Sequence, residues 1–172
     1  MTDLIIGIDN DLIIGIDNGL DGGLCAISTF DGAVIAKTRM PTIQLSKKKE
    51  VDIRKVNQWL LDLHTPFELA IEEPLAHAKS SQAVRSMAIS FGKLLGMAES
   101  HRYPVKRVSV HKWQKHMLGR IPKGKSKEAA LEMAERLAPD ENWLANKRCR
   151  KPHDGMIDAY LIATFIWSGK KS

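Results

Sequence analysis

Apolar residues recur along this chain with two periods, and each change of period marks a change of element. A short β-branched run at 12–17 (LIIGID) meets the turn-forming residues Asn18-Gly19-Leu20-Asp21-Gly22-Gly23. Strand-like runs at 24–30 and 33–40 then flank Asp31-Gly32, a dipeptide that favours a two-residue hairpin. Three antiparallel strands are therefore expected first. Pro41 and Lys47-Lys48-Lys49 mark a loop, after which Ile53, Val56, Trp59, Leu60 and Leu63 fall at helical spacing within 51–63. The run 67–71 reads as a strand ending at Glu72-Glu73-Pro74. A long helix follows at 81–101, with Val84, Met87, Phe91, Leu94, Leu95 and Ala98 on its apolar side. A strand at 105–110 and helices at 111–118, 126–137 and 154–167 complete the pattern. This order predicts an α/β domain, a mixed five-stranded sheet with helices on both faces.

One irregularity interrupts that pattern. Residues 3–10, DLIIGIDN, recur unchanged as residues 11–18. Only one copy can fill the first strand's place, and the second leads directly into the glycine-rich turn. Residues 1–11 are therefore expected to be a peripheral duplicated segment, and 12–172 the folded domain.

Composition narrows the class. A chain of 172 residues suits a single domain with its own core. Its two cysteines, Cys25 and Cys149, form no C-x-x-C pair, so neither a disulfide framework nor a zinc knuckle is indicated. No basic leader with an apolar stretch opens the sequence, and no apolar run reaches the ~18 residues of a membrane span. A soluble, cytoplasmic protein is the expectation. The net charge of +6 bears on partners more than on fold. Its clustering is more informative: Lys47–49, then Lys123, Lys125 and Lys127, then the basic run 147–151, each between periodic segments where loops could hold phosphates.

Acidic residues at three places in the chain carry the chemistry. Asp17 ends an apolar strand, where it either starts the turn or belongs to a site. Glu72 repeats this at the end of a second strand; alternatively, Glu72 and Glu73 form an acidic cluster at a helix start. Asp154 and Asp158 stand four apart, on one face of a helix that is otherwise strongly apolar. A salt bridge to Lys151 or Arg150 explains one of these acids but hardly both. A shared cation explains the set, and all-oxygen ligands suit two Mg²⁺ ions, or Mn²⁺ in their place. Two such ions would serve phosphodiester hydrolysis. No P-loop or Ser-His-Asp signature competes.

With these residues in view, the chain resembles the RuvC-like Holliday junction resolvases of the RNase H-like superfamily, particularly the phage-type members. The resemblance rests on Gly15-Ile16-Asp17 with its glycine-rich turn, on Ala70-Ile71-Glu72, and on the run from Asp158 through Ala163. Residues 108–118 and 125–137 are also similar to the phage forms. The resemblance implies an RNase H-like fold and a homodimer in a bacterial or phage-infected cell. It also implies paired incisions in a four-way DNA junction that leave 5′-phosphate ends. Asp17, Glu72 and Asp158 take the places of the family's catalytic, metal-binding acids. The family's remaining ligand commonly lies three residues before the last Asp, where this chain has Gly155; Asp154 is the nearest substitute, and His153 a weaker one. His111, His116 and His153 are the histidines considered for a general base.

Phosphate contacts are expected from Lys79, Arg85, Lys112, Lys115, Lys123 and Lys125. The small residues Ala88, Gly92 and Gly96 on the long helix suit core packing or a dimer interface. Leu75 reads as an ordinary core leucine or as a wedge between bases. Two rival functions remain: an actin-like ATP-binding domain, for which one domain is too short, and an RNase H-fold protein that binds nucleic acid without cutting.

Overall fold

A computed structural model describes residues 11–75 and 80–171 of the chain. The first copy of the repeat and Lys79 lie outside the described residues. The elements, in chain order, are β1 (Leu12–Asp17), β2 (Gly23–Ser28), β3 (Val34–Arg39), β4 (Thr42–Leu45), β5 (Lys48–Val51) and α1 (Ile53–Leu61). Then follow β6 (Phe67–Glu72), α2 (Ser81–His101), β7 (Val105–Val108), α3 (Val110–Leu118), α4 (Ser126–Leu137) and α5 (Asp154–Lys170).

The central sheet runs β3-β2-β1-β6-β7. The first three strands pair antiparallel, whereas β6 is parallel to both β1 and β7. This is the mixed five-stranded, RNase H-like sheet expected from the sequence, with helices on both faces. Strand alternation divides the core in two. Leu12, Ile14, Ile16, Leu69 and Ile71 face α1 and α2. Ile13, Cys25, Ile27 and Ala70 face α3, α4 and α5.

Gly15 sits on the α5 face, where a Cβ would stand 1.9 Å from the Ala159 carbonyl oxygen. Its missing side chain lets α5 lie directly against β1. The strand run before Asp17 thus sets the depth of the last helix, and with it the position of Asp158.

Two local expectations require correction. The β2–β3 connection is not a two-residue turn: Ser28 N–H donates to Ala33 O and Gly32 N–H to Ser28 O, so residues 29–33 form a longer loop. Asp31 Oδ1 accepts from Ala33 N–H (3.0 Å), a local side-chain turn that competes with the tight hairpin. The lysine run is not a loop either. It belongs to a separate antiparallel hairpin, β4–β5, with Lys48 paired to Leu45 and Lys49 to Gln44. Consecutive charges hid the strand periodicity there. Among the described residues, no helix is long and apolar enough to cross a membrane.

Candidate active site

The same alternation that splits the core decides where the acids point. Asp17 follows Ile13 and Gly15 onto the α5 face, and Glu72 follows Ala70 onto it. Because β1 and β6 are parallel, with Ile16 opposite Ile71, both carboxylates leave the sheet at the same end. The first turns of α5 cross that end and carry Asp154 and Asp158.

Their mutual influence is visible in their protonation. Burial first, and then repulsion from Asp21 and Asp154, push Asp17 up to about 6, against a hydrogen bond from Gly19 N–H that favours the charged form. Glu72 is raised to about 8 by burial and by Asp17 and Asp158, with the Trp113 hydrogen bond opposing. Asp158 is raised to about 7 by burial and by Asp17 and Asp154. The four acids named from the sequence therefore act on one another electrostatically in the fold.

Each acid has its own support. Asp17 Oδ1 accepts from Gly19 N–H at 3.1 Å, so Asp17 starts the turn as well as facing the other acids. Glu72, 8% exposed, accepts from the indole N–H of Trp113 at 2.7 Å. The backbone oxygen of Glu72 accepts from the Asn18 amide, which ties the ends of β1 and β6 together. Asp154 pairs with Lys127 on α4; the salt bridge weighed as an alternative, to Lys151 or Arg150, is not the one formed.

Gly155 explains why no acid stands three residues before Asp158. A Cβ at Gly155 would lie 2.4 Å from the Gly22 carbonyl carbon and 2.5 Å from Asp21 O. The start of α5 rests on the β1–β2 turn backbone to backbone, and Gly22 forms an isolated bridge with Gly155. No side chain fits between them.

The remaining sequence candidates are dispersed. His153 caps α5, its Nδ1 accepting from Met156 N–H at 3.3 Å. His116 packs edge-on against Phe165, and His111 lines a groove with Lys115 and Lys123. Glu73 extends the β6–β7 ladder through its N–H, and it is not among the charges that shift the buried acids. Leu75 is half-buried and belongs to neither core. Lys112, Lys115, Lys123 and Lys125 are all exposed, and Lys125 pairs with Glu128 at 3.1 Å. Arg85 is exposed on α2 beside the β4–β5 hairpin. Sequence reading missed Trp113 and Asn18. A buried indole needs an acceptor, which is a signal, but nothing in the spacing names Glu72 as that acceptor.

Among the described residues, no three His, Cys, Asp or Glu side chains stand close enough together to hold an ion. The donor chemistry still fits a hard divalent cation: oxygen ligands from separate elements, three of them held above their usual pKa range by burial and repulsion. Asn18 Oδ1 adds a fully buried acceptor with no donor among the described residues, which a hydrated cation would satisfy.

Sheet order and crossing helix define an RNase H-like fold with an acidic cluster at one end of its central strands. Among solved structures, the chain is similar to RuvC of Thermus thermophilus. It superposes on that protein in complex with a Holliday junction substrate with a TM-score of 0.60, at 18% identity, covering 94% of this chain and 96% of the other. A second Thermus thermophilus RuvC structure gives 0.57 at 17% identity, covering 93% and 96%. At this identity the likeness establishes the fold. No protein-family model and no curated protein sequence matches the chain.

Proposed function

We propose that this protein is a metal-dependent, structure-selective endodeoxyribonuclease that resolves four-way DNA junctions by paired phosphodiester hydrolysis. The observation that carries the reading is the placing of Asp17, Glu72 and Asp158 at one end of a RuvC-like fold, where burial first and neighbouring carboxylates second raise the pKa of each. A purely structural role gives no reason to bury three mutually repelling carboxylates.

In this reading Asp17, Glu72, Asp154 and Asp158 hold magnesium or manganese. When bound, the metal supplies the positive charge that activates water and offsets charge developing on the phosphodiester. The chain's own residues prepare that site. Trp113 fixes the Glu72 carboxylate, Asn18 locks the two strand ends, and the Gly22–Gly155 contact sets the approach of α5. Lys127 offsets negative charge at Asp154. The exposed lysines of the α3–α4 region, Lys112, Lys115, Lys123 and Lys125, meet phosphates without reading sequence. Lys79, which lies outside the described residues, is also proposed as a phosphate contact. A homodimer places two such sites on opposite strands of one junction, and the uncovered side of α2 at Gly92 and Gly96 is open enough for a partner helix. The cytoplasm of a bacterial or phage-infected cell is the compartment this reading proposes.

The test is cleavage of a synthetic four-way junction with and without Mg²⁺, beside Asp17→Asn and Asp9→Asn. Symmetric, metal-dependent nicking that is lost in Asp17→Asn and kept in Asp9→Asn is expected. Tight junction binding with no cleavage under any metal would leave a DNA-binding protein of the same fold.

A further inference from the structure

We propose that the β4–β5 hairpin and the first half of α2 form a groove for the sugar–phosphate backbone of a duplex DNA arm, distinct from the acidic cluster and from the α3–α4 lysines. The proposal deepens the junction-nuclease reading and rests on it for the identity of the ligand.

The groove has a volume of about 760 Å³. Lys47, Lys48 and Lys49 line one side and Arg85 the other. Its one carboxylate, Glu50, is already neutralised by Lys93 at 2.5 Å. Lys49 approaches the fully exposed Asp21 only at 3.9 Å, a weak surface pairing that leaves its charge available. Ser86, beside Arg85, adds a hydroxyl of the kind that contacts phosphate oxygens. Four cations and a hydroxyl along one channel match a polyanion with regularly spaced charge.

The position of the channel matters as much as its charge. Leu20, three residues beyond Asp17 in the β1–β2 turn, forms part of its wall. The groove therefore borders the turn that follows Asp17.

The hairpin is also held firmly. An isolated two-stranded hairpin is marginal in water, yet this one is anchored at its base. Val51 is buried in the core, Asp52 N–H donates to Pro41 O, and Lys93 pairs with Glu50 across to α2. Lysines on an exposed strand also discourage edge-to-edge association. That role accounts for Lys47–49, but not for Arg85 and Ser86 facing them from another element.

The experiment is fluorescence anisotropy with a labelled synthetic four-way junction and a labelled linear duplex, in EDTA so that nothing is cut, across a salt series. Three variants of the full chain are compared: Lys47→Ala/Lys48→Ala/Lys49→Ala, Arg85→Gln, and a charge-matched control, Arg54→Ala/Lys55→Ala/Lys106→Ala, at exposed positions away from the groove. Each phosphate contact contributes roughly 0.9 to the slope of log K against log salt. The hairpin triple variant should lose about two to three units of slope, Arg85→Gln about one, and the control essentially none. Because Arg85→Gln leaves the hairpin intact, it tests the groove even if the triple variant is unstable. Equal slope changes in the hairpin and control variants would overturn the proposal. Cleavage is read separately: a protein that cuts junctions with unchanged slopes in the groove variants sinks the groove alone, and one that keeps the slope differences without cutting sinks the nuclease reading alone.

Discussion

Restoring an acid three residues before Asp158, as the family resemblance would suggest, should damage this protein. Gly155→Ala is the cleaner perturbation and Gly155→Asp the more telling one. In either, the new Cβ would lie 2.4 Å from the Gly22 carbonyl carbon and 2.5 Å from Asp21 O, well inside ordinary contact distance. The obstacle is backbone, not the flexible end of a side chain, so the β1–β2 turn or the start of α5 must shift. Overpacking of this kind costs about 1–3 kcal/mol. For a domain of this size each kcal/mol lowers Tm by roughly 2–4 °C, so a fall of about 2–12 °C is expected. The same shift changes the spacing of Asp17 and Asp158, and a displacement of about 1 Å near a reacting centre can lower a rate by about 100-fold. Thermal unfolding followed by circular dichroism, with junction cleavage measured on the same preparations, reads both effects. Wild-type melting in Gly155→Ala, or activity in Gly155→Asp equal to or above wild type, would refute the backbone-contact argument.

Other consequences follow from the supports around the acids. Trp113→Phe keeps a buried ring but removes the indole donor to Glu72; Mn²⁺ affinity should fall roughly 10- to 100-fold with little change in fold, and unchanged affinity in a titration would show that the bond has no role. Lys127→Gln removes the cation paired with Asp154, so DNA-free protein should bind Mn²⁺ several-fold more tightly by calorimetry, whereas Lys125→Gln, whose partner is Glu128, should not. The carboxyls of Asp17, Glu72 and Asp158 are held up to about 6, 8 and 7 in the folded chain. They therefore bind more protons folded than unfolded, and metal-free stability should be greatest near pH 4 and decline as pH rises toward 8. Melting curves in EDTA at successive pH values check this; a Tm that rises with pH over the same interval contradicts it.

How far the sequence could be read depended on the kind of signal. The bounds of α2 and α4 were legible because apolar periodicity ran unbroken through both, and α2 is also capped at each end, by Ser80 accepting from Ala83 N–H at its start and by Arg102 in the left-handed region at its close. The β4–β5 hairpin was not legible, because Lys47–49 and Glu50 carry no alternation of apolar and polar positions. Asp17 and Glu72 could be singled out because a charge ending an apolar strand is conspicuous. Which face each would take followed from the period of two once the strand partners were known. Contacts that join distant elements left no trace in spacing. Trp113 lies 41 residues from Glu72, and Lys127 lies 27 from Asp154. The Gly155 departure looked like a missing ligand in the sequence; in the fold it is a close packing requirement against Gly22.

The central claim is that carboxylates from β1, β6 and α5 form a single cation site. The most direct measurement is Mn²⁺ titration followed by electron paramagnetic resonance, on wild type and on Asp17→Asn, Glu72→Gln and Asp158→Asn separately. Saturable binding in wild type, strongly weakened by each substitution alone, is the predicted result. Binding that survives any one of them at wild-type strength would mean that the acids do not share an ion.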